Sequence, residues 1–318
     1  MNHYTSMDEL LTYKTEILIE EITHLREDES VQIIADETAD VLMPILLRLL
    51  GNKGHRNIRV TKIHSQNTEP TFMEETLEDV STIFLFTAKN YTFSEIFRKF
   101  FTYHGKLVSC PFFSVTKYLR GIADQPSRYQ KLMDNSTARF TPGSTVEITS
   151  PEGSTLKGKL GRVFPLCANF TMKGDKGLIL IPSGIMGTAS DPESFSGEAL
   201  INGFVKNWGP IGESAIIKII KGIIVDIQSR GNVPVPLANA MRDSIPLSEI
   251  GLGFNLSSPL SYDTHQSESE FGIIDLGFGE NKHIGGYIEG ATHLDLTIRG
   301  GSLTMNGENI LRKGIFEI

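Results

Sequence analysis

The chain has 318 residues, a formal net charge of −8 and 40% apolar residues. That length exceeds what one hydrophobic core comfortably fills, so two domains are expected, and the apolar share excludes a disordered chain. The acidic balance excludes a general nucleic-acid binder, which needs a basic face to neutralise phosphates.

The N-terminal stretch MNHYTSMDELLTYKTE is acidic and polar and lacks the basic and apolar regions of a secretory signal. No window approaches the roughly 18 continuous apolar residues of a membrane span. Cys110 and Cys167 lie far apart and fit no metal spacing, which suits reduced thiols and a cytoplasmic location.

Leu10, Leu11, Ile17, Leu18 and Ile22 recur at helical spacing and predict an opening amphipathic helix. VQIIAD, from Val31 to Asp36, predicts a buried strand. TADVLMPILLRLLG predicts a helix closed by Gly51, with Pro44 near its first turn. NIRVTKI, STIFLFT and KLVSC predict three more strands, with helical stretches such as TFSEIFRKFF between them. Strands separated by helices imply a parallel sheet covered on both faces, an open α/β domain of Rossmann-like type. The segment after the first strand holds neither GxGxxG nor a Walker lysine, so nucleotide binding has no support there.

Between Thr141 and Cys167 the composition shifts to short β-rich runs punctuated by Gly, Pro and Ser. Apolar runs stay short from there onward, and VPLANAMRD is the best helix. The fold class is therefore α/β followed by β-rich α+β. Domains are expected over residues 1–164 and 165–318, the second carrying the site.

The most pointed local feature is THLDL. On a strand, residues i and i+2 face the same way, so His293 and Asp295 project together and form a half-site for a first-row metal. Alone, such a pair is more simply an ordinary strand pair. Glu249 stands beside a Gly-x-Gly turn, and the glycines at 251, 253, 285 and 286 let backbone approach closely. His283 reads as a polar loop residue in a glycine-flanked loop, His265 as surface, and Lys218 with Lys221 as a solvated strand edge.

IPSGIMGTAS, GEALINGFV, IIKGIIVDI, SEIGLGFN, FGIIDLGFGENKHIGG and THLDL, in that order, resemble the motif series of the aminopeptidase T and 2,5-dihydroxypyridine dioxygenase family. Tyr118 to Phe170 also resembles the segment by which these proteins cross between domains. The resemblance covers about the last 200 residues well, and the N-terminal domain in layout only. It implies a homodimer, metal binding, and a small-molecule or peptide ligand; the charge and the hydropathy point to no nucleic acid and no membrane.

The departures are as informative. In the peptidases a metal-binding glutamate follows the PSG segment, where this chain has Ile185, and a metal-binding histidine falls at Ile273. Isoleucine cannot ligate, so the paired metals of an aminopeptidase are not expected. Glu249, His293 and Asp295 match family ligands and would suit one Fe(II), Mn(II) or Zn(II), with His283 as the nearest acid or base. The dioxygenase branch resembles this in needing one metal, held by two histidines and a carboxylate.

Three functions follow. The first is a mononuclear metalloenzyme on a small aromatic or peptide-like substrate. The second is a metal-free, inactive relative that binds a peptide as an accessory protein, for example in peptide natural-product biosynthesis. The third, an intact leucyl aminopeptidase, is opposed by Ile185 and Ile273.

Overall fold

The computed structural model describes residues 6–66, 77 and 79–317, so the first five residues of the polar N-terminal stretch lie outside it. Contacts divide the chain into two interleaved units, residues 1–130 with 168–183 and residues 131–167 with 184–318. The sequence reading places a single boundary at 164/165. No helix among the described residues is long and apolar enough to cross a membrane.

In the first unit β1 (Val31–Ala35), β2 (Ile58–Lys62), β3 (Thr82–Thr87), β4 (Lys106–Pro111) and β8 (Gly177–Leu180) form a parallel sheet in the order β2-β1-β3-β4-β8. Strand alternation sends Ile33, Ala35, Phe84, Phe86, Val108 and Cys110 to one face. There they pack against Leu11 of α1 (Met7–Ile17) and Leu46 and Leu50 of α2 (Leu42–Asn52). Ile34, Ile83, Leu85 and Leu107 go to the other face, against Phe97 of α3 (Glu95–Lys99) and Phe100. Burial on both faces is why these strands are continuous apolar runs. Ser6 caps α1 by accepting from the Glu9 amide at 3.2 Å, and Asp8 and Glu9 complement the positive end of the helix.

A parallel sheet in this order has its switch point between β1 and β3, the usual ligand crevice of such sheets. Here the Asp36 carboxylate accepts from the Thr38 amide at 3.0 Å and the Ala88 amide at 2.6 Å. Two amides that could hold a phosphate are thus bonded within the chain, in keeping with the missing glycine signature.

In the second unit most strands join one large sheet. It runs from β11 (Gly209–Pro210) through β10 (Phe204–Val205), β16 (His293–Ile298), β15 (Ile274–Gly279) and β14 (Leu247–Gly253) to β9 (Ile185–Ile201). It continues through β6 (Thr155–Leu160), β5 (Thr145–Thr149), β17 (Ser302–Met305) and β18 (Glu308–Arg312) to β19 (Ile315–Phe316). β7 (Leu166–Ala168), β12 (Ala215–Ile220) and β13 (Ile223–Ser229) branch from this path. The long β9 pairs with β7 and also serves β14 along 185–189, β6 along 190–197 and β12 along 197–201.

Helices α4 (Val115–Gly121) and α5 (Pro126–Thr137) precede this sheet, and α6 (Val235–Arg242) is the VPLANAMRD helix. The sequence reading has no helix at α7 (Thr264–Ser269), where Asp263 caps by accepting from the Gln266 amide at 3.0 Å. His265 lies on it and is half-buried.

Candidate metal centre

The register of three antiparallel strands builds the site. Gly277 of β15 lies between Glu249 of β14 and Asp295 of β16, Asp275 lies between Gly251 and Thr297, and His293 opposes Gly279. With a period of two, Glu249, Asp275, His293 and Asp295 project from one face. Gly277 is where the space for them comes from. A Cβ there would stand 2.8 Å from Glu249 Cβ and 3.2 Å from His293 Cε1. On the neighbouring β9, a Cβ at Gly187 would overlap Glu249 Oε1.

A fifth side chain arrives from the loop after β15. Buried Asn281 donates from Nδ2 to the Ser248 carbonyl at 2.9 Å and accepts the Ile288 amide at 2.9 Å, which fastens the loop to β14. The chain then makes one 3₁₀ turn, Lys282–Ile284, and leaves through Gly285 at φ +83°. That left-handed conformation suits glycine. The turn carries His283 over the sheet, edge-to-face with His293 at 4.8 Å between ring centres.

Glu280 orients both rings. Its main-chain oxygen accepts from His293 Nδ1 at 2.6 Å, and its carboxylate Oε2 accepts from His283 Nδ1 at 3.1 Å. Neither oxygen can donate, so both Nδ1 atoms carry protons and both Nε2 atoms turn inward. They stand 3.5 Å (His283) and 3.6 Å (His293) from Glu249 Oε2, beyond good hydrogen-bond length. That oxygen is buried and has no hydrogen-bond partner among the described residues.

His293 Nε2 is also 2.7 Å from Asp295 Oδ1. Burial alone would lower the His293 pKa, but the Asp295 hydrogen bond and charge, with Glu249, outweigh it and raise the pKa to about 9. Burial likewise works against a charged Asp295, yet His293 and Lys206 hold its pKa well below the usual carboxylate range. Lys206 Nζ lies 2.7 Å from Asp295 Oδ2. Burial and the nearby Asp295 push Asp275 and Glu268 well above that range. The attraction of Glu249 raises the His283 pKa against partial burial.

Two groups of potential ligands result: Glu249, His283 and His293, and next to them Glu268, Asp275 and Asp295, each with donor atoms within 4.8 Å of one another. A cation fits the first. Donors about 2.1 Å from a shared ion stand roughly 3.0–3.4 Å apart, close to the separations seen here. The buried Glu249 oxygen has no hydrogen-bond partner among the described residues, the glycines leave room, and backbone or carboxylate contacts at Nδ1 are the usual supports of metal-binding imidazoles. In exchange, His293 Nε2 would release its proton, freeing Asp295 Oδ1 as a further donor within reach.

Glu249, His293 and Asp295, the three ligand candidates read from the sequence, thus lie side by side, with Asp295 in the second group. His283, read as an acid or base, takes a place beside Glu249 and His293. Ile185 opposes Gly253 at the start of β9, and Ile273 is buried just before β15; neither brings a donor. Sequence reasoning missed Glu268, Asp275 and Lys206. For Asp275 a signal existed, since D-x-G-x-G in IIDLGFG puts an acid on the same strand face as two glycines.

No family profile matches the chain, and no curated protein does. Among solved structures, the 2,5-dihydroxypyridine dioxygenase of Pseudomonas putida KT2440 is similar with a TM-score of 0.75 and 14% identity, over 99% of this chain and 98% of that one. Wild-type AmpT from Thermus thermophilus is similar with a TM-score of 0.66 and 12% identity, over 98% and 100%. The chain shares their fold along essentially its whole length.

Proposed function

We propose that this chain is a mononuclear metal-dependent enzyme acting on a small aromatic or peptide-like substrate, with the dioxygenase-like reading ahead of the peptidase-like one. The observation that carries it is the convergence of two imidazole Nε2 atoms on one buried, unpartnered carboxylate oxygen. Two histidines and one carboxylate with open positions are the donor set of non-haem Fe(II) oxygenases. Shared fold with a dioxygenase and with AmpT supports the same direction at the level of fold.

Glu249, His283 and His293 would hold the cation, and Asp295 would stand ready beside them. A bound divalent ion would supply Lewis acidity and adjacent positions for substrate oxygens. The chain's own part is otherwise positioning. Glu280 fixes both rings, Gly187 and Gly277 keep the pocket clear, and the Asn281 loop sets His283 at the exposed rim, with 43% of its side chain accessible. As a ligand, His283 would have Nε2 on the ion and Nδ1 on Glu280, which leaves it no free nitrogen for the acid or base role that its place in the sequence suggested.

The metal-free, peptide-binding reading draws on one observation. Asp295 already bonds both His293 and Lys206, so part of the site is neutralised without a metal. Oxygen uptake by protein loaded anaerobically with Fe(II), across a panel of dihydroxylated aromatic rings, separates the readings. Uptake that is lost in Glu249→Gln supports the enzyme. Leucyl chromogenic turnover lost in the same variant supports the peptidase, and silence in both assays supports the binding protein.

A further inference from the structure

The second group of acids has its own occupant. Glu268 on α7, Asp275 on β15 and Asp295 on β16 bring carboxylate oxygens within 4.8 Å of one another. Asp275 and Asp295 are 5% and 2% exposed, and Asp275 Oδ1 has no hydrogen-bond partner among the described residues. Three acids so close together, two of them buried and Glu268 half-buried, require protons or an opposing cation.

The chain supplies that cation. Lys206 follows β10, where its amide donates to the Asp295 carbonyl at 3.0 Å, so the residue is pinned to β16 by its backbone. Its Nζ then reaches Asp295 Oδ2 at 2.7 Å, in a side chain only 27% exposed. Glu268 and Asp275 also draw on its charge. We infer that the Lys206 ammonium stands where a second cation would otherwise bind, and so limits this centre to one metal ion.

The physical reasons are charge and space. An ammonium is a compact point charge with three donors, able to serve several carboxylates at once. A divalent ion among the same acids would meet that charge at close range in a poorly solvated pocket, where repulsion is little screened. Without the ammonium, the pocket is a set of three carboxylates with one oxygen already unpartnered, a donor set suited to Mn(II) or Mg(II). The inference rests on reading the adjoining Glu249 group as the site of the one remaining metal.

The test is metal content by elemental analysis after Mn(II) loading and desalting, with melting temperature against Mn(II) concentration as a second readout. Four proteins are compared: wild type, Lys206→Met, Glu249→Gln and the double variant. Lys206→Met should hold one more Mn(II) per chain than its parent in both backgrounds, two against one and one against none, and its melting temperature should rise with added Mn(II). Lys206→Arg, which keeps the charge, should match wild type.

No gain in either background overturns the inference, as does a gain in Lys206→Arg. If wild type holds none and Lys206→Met holds one, the Glu249 reading fails and this one stands. If both hold one, the reverse is true. Should Lys206→Met not fold, Lys206→Gln, which keeps a polar head without the charge and leaves all three acids in place, is read in the same way.

Discussion

Glu280 Oε2 accepts the Nδ1 proton of His283 at 3.1 Å, while the main-chain oxygen of the same residue holds His293 at 2.6 Å. One residue therefore aims both imidazoles, but only one of them through its side chain. Glu280→Ala should release His283 and leave His293 in place. Affinity for Mn(II), followed by calorimetry, should fall about 10- to 100-fold, the usual effect of removing such a support. Unchanged affinity would mean that His283 does not contact the ion.

Gly187→Ala tests the space around Glu249. The new Cβ would overlap Glu249 Oε1, and it meets no backbone atom among its nearest neighbours. The carboxylate should be pushed aside and metal binding lost, with the melting temperature changed by only a few degrees. A variant that still binds metal would show that Glu249 reaches the ion from another direction.

Register explains how much of this site is legible in sequence. His293 and Asp295 share a strand, so the period of two aims them together whatever the rest of the fold does. The alternation of strands and helices before Thr141, and the short punctuated strands after it, likewise carry the fold class. His283 is different, because its place depends on Asn281 reaching Ser248, 33 residues away in sequence. Lys206 meets Asp295 across 89 residues. Asp275 sits in a run of apolar residues, and its meaning appears only once Gly251 and Thr297 are known to flank it.

In the first unit, Lys106 and Glu29 form an ion pair at 2.8 Å, both side chains 3% exposed, and Thr82 donates to the other Glu29 oxygen at 2.8 Å. Breaking the pair from the lysine side leaves the buried Glu29 charge with only the exposed Arg26 guanidinium, 3.4 Å away, to offset it. Lys106→Met should cost about 3–5 kcal/mol in chemical denaturation, whereas Lys106→Met/Glu29→Gln should recover much of that. Equal losses in the two variants would assign the effect to packing.

His55 gives the first unit a pH dependence. It is 5% exposed and its Nδ1 has no hydrogen-bond partner among the described residues. Burial pushes its pKa down, partly offset by Glu27 and Glu29. A folded value below the unfolded one of about 6.5 means that the unfolded chain binds the extra proton first. The contribution of neutral His55 is therefore complete above that pH and is lost as the pH falls beneath it. Between about pH 7 and 5.5, His55→Gln should lose less melting temperature than wild type; parallel curves would show that His55 stays solvated.

The central claim is that Glu249, His283 and His293 hold one divalent ion. Metal content by elemental analysis, on protein purified without chelator and reloaded with Fe(II), Mn(II) or Zn(II), tests it most directly. One equivalent per chain is expected in the wild type, with none in Glu249→Gln or His293→Ala folded to the same circular-dichroism spectrum. Wild-type protein that takes up none of the three ions, or variants that keep a full equivalent, would contradict it.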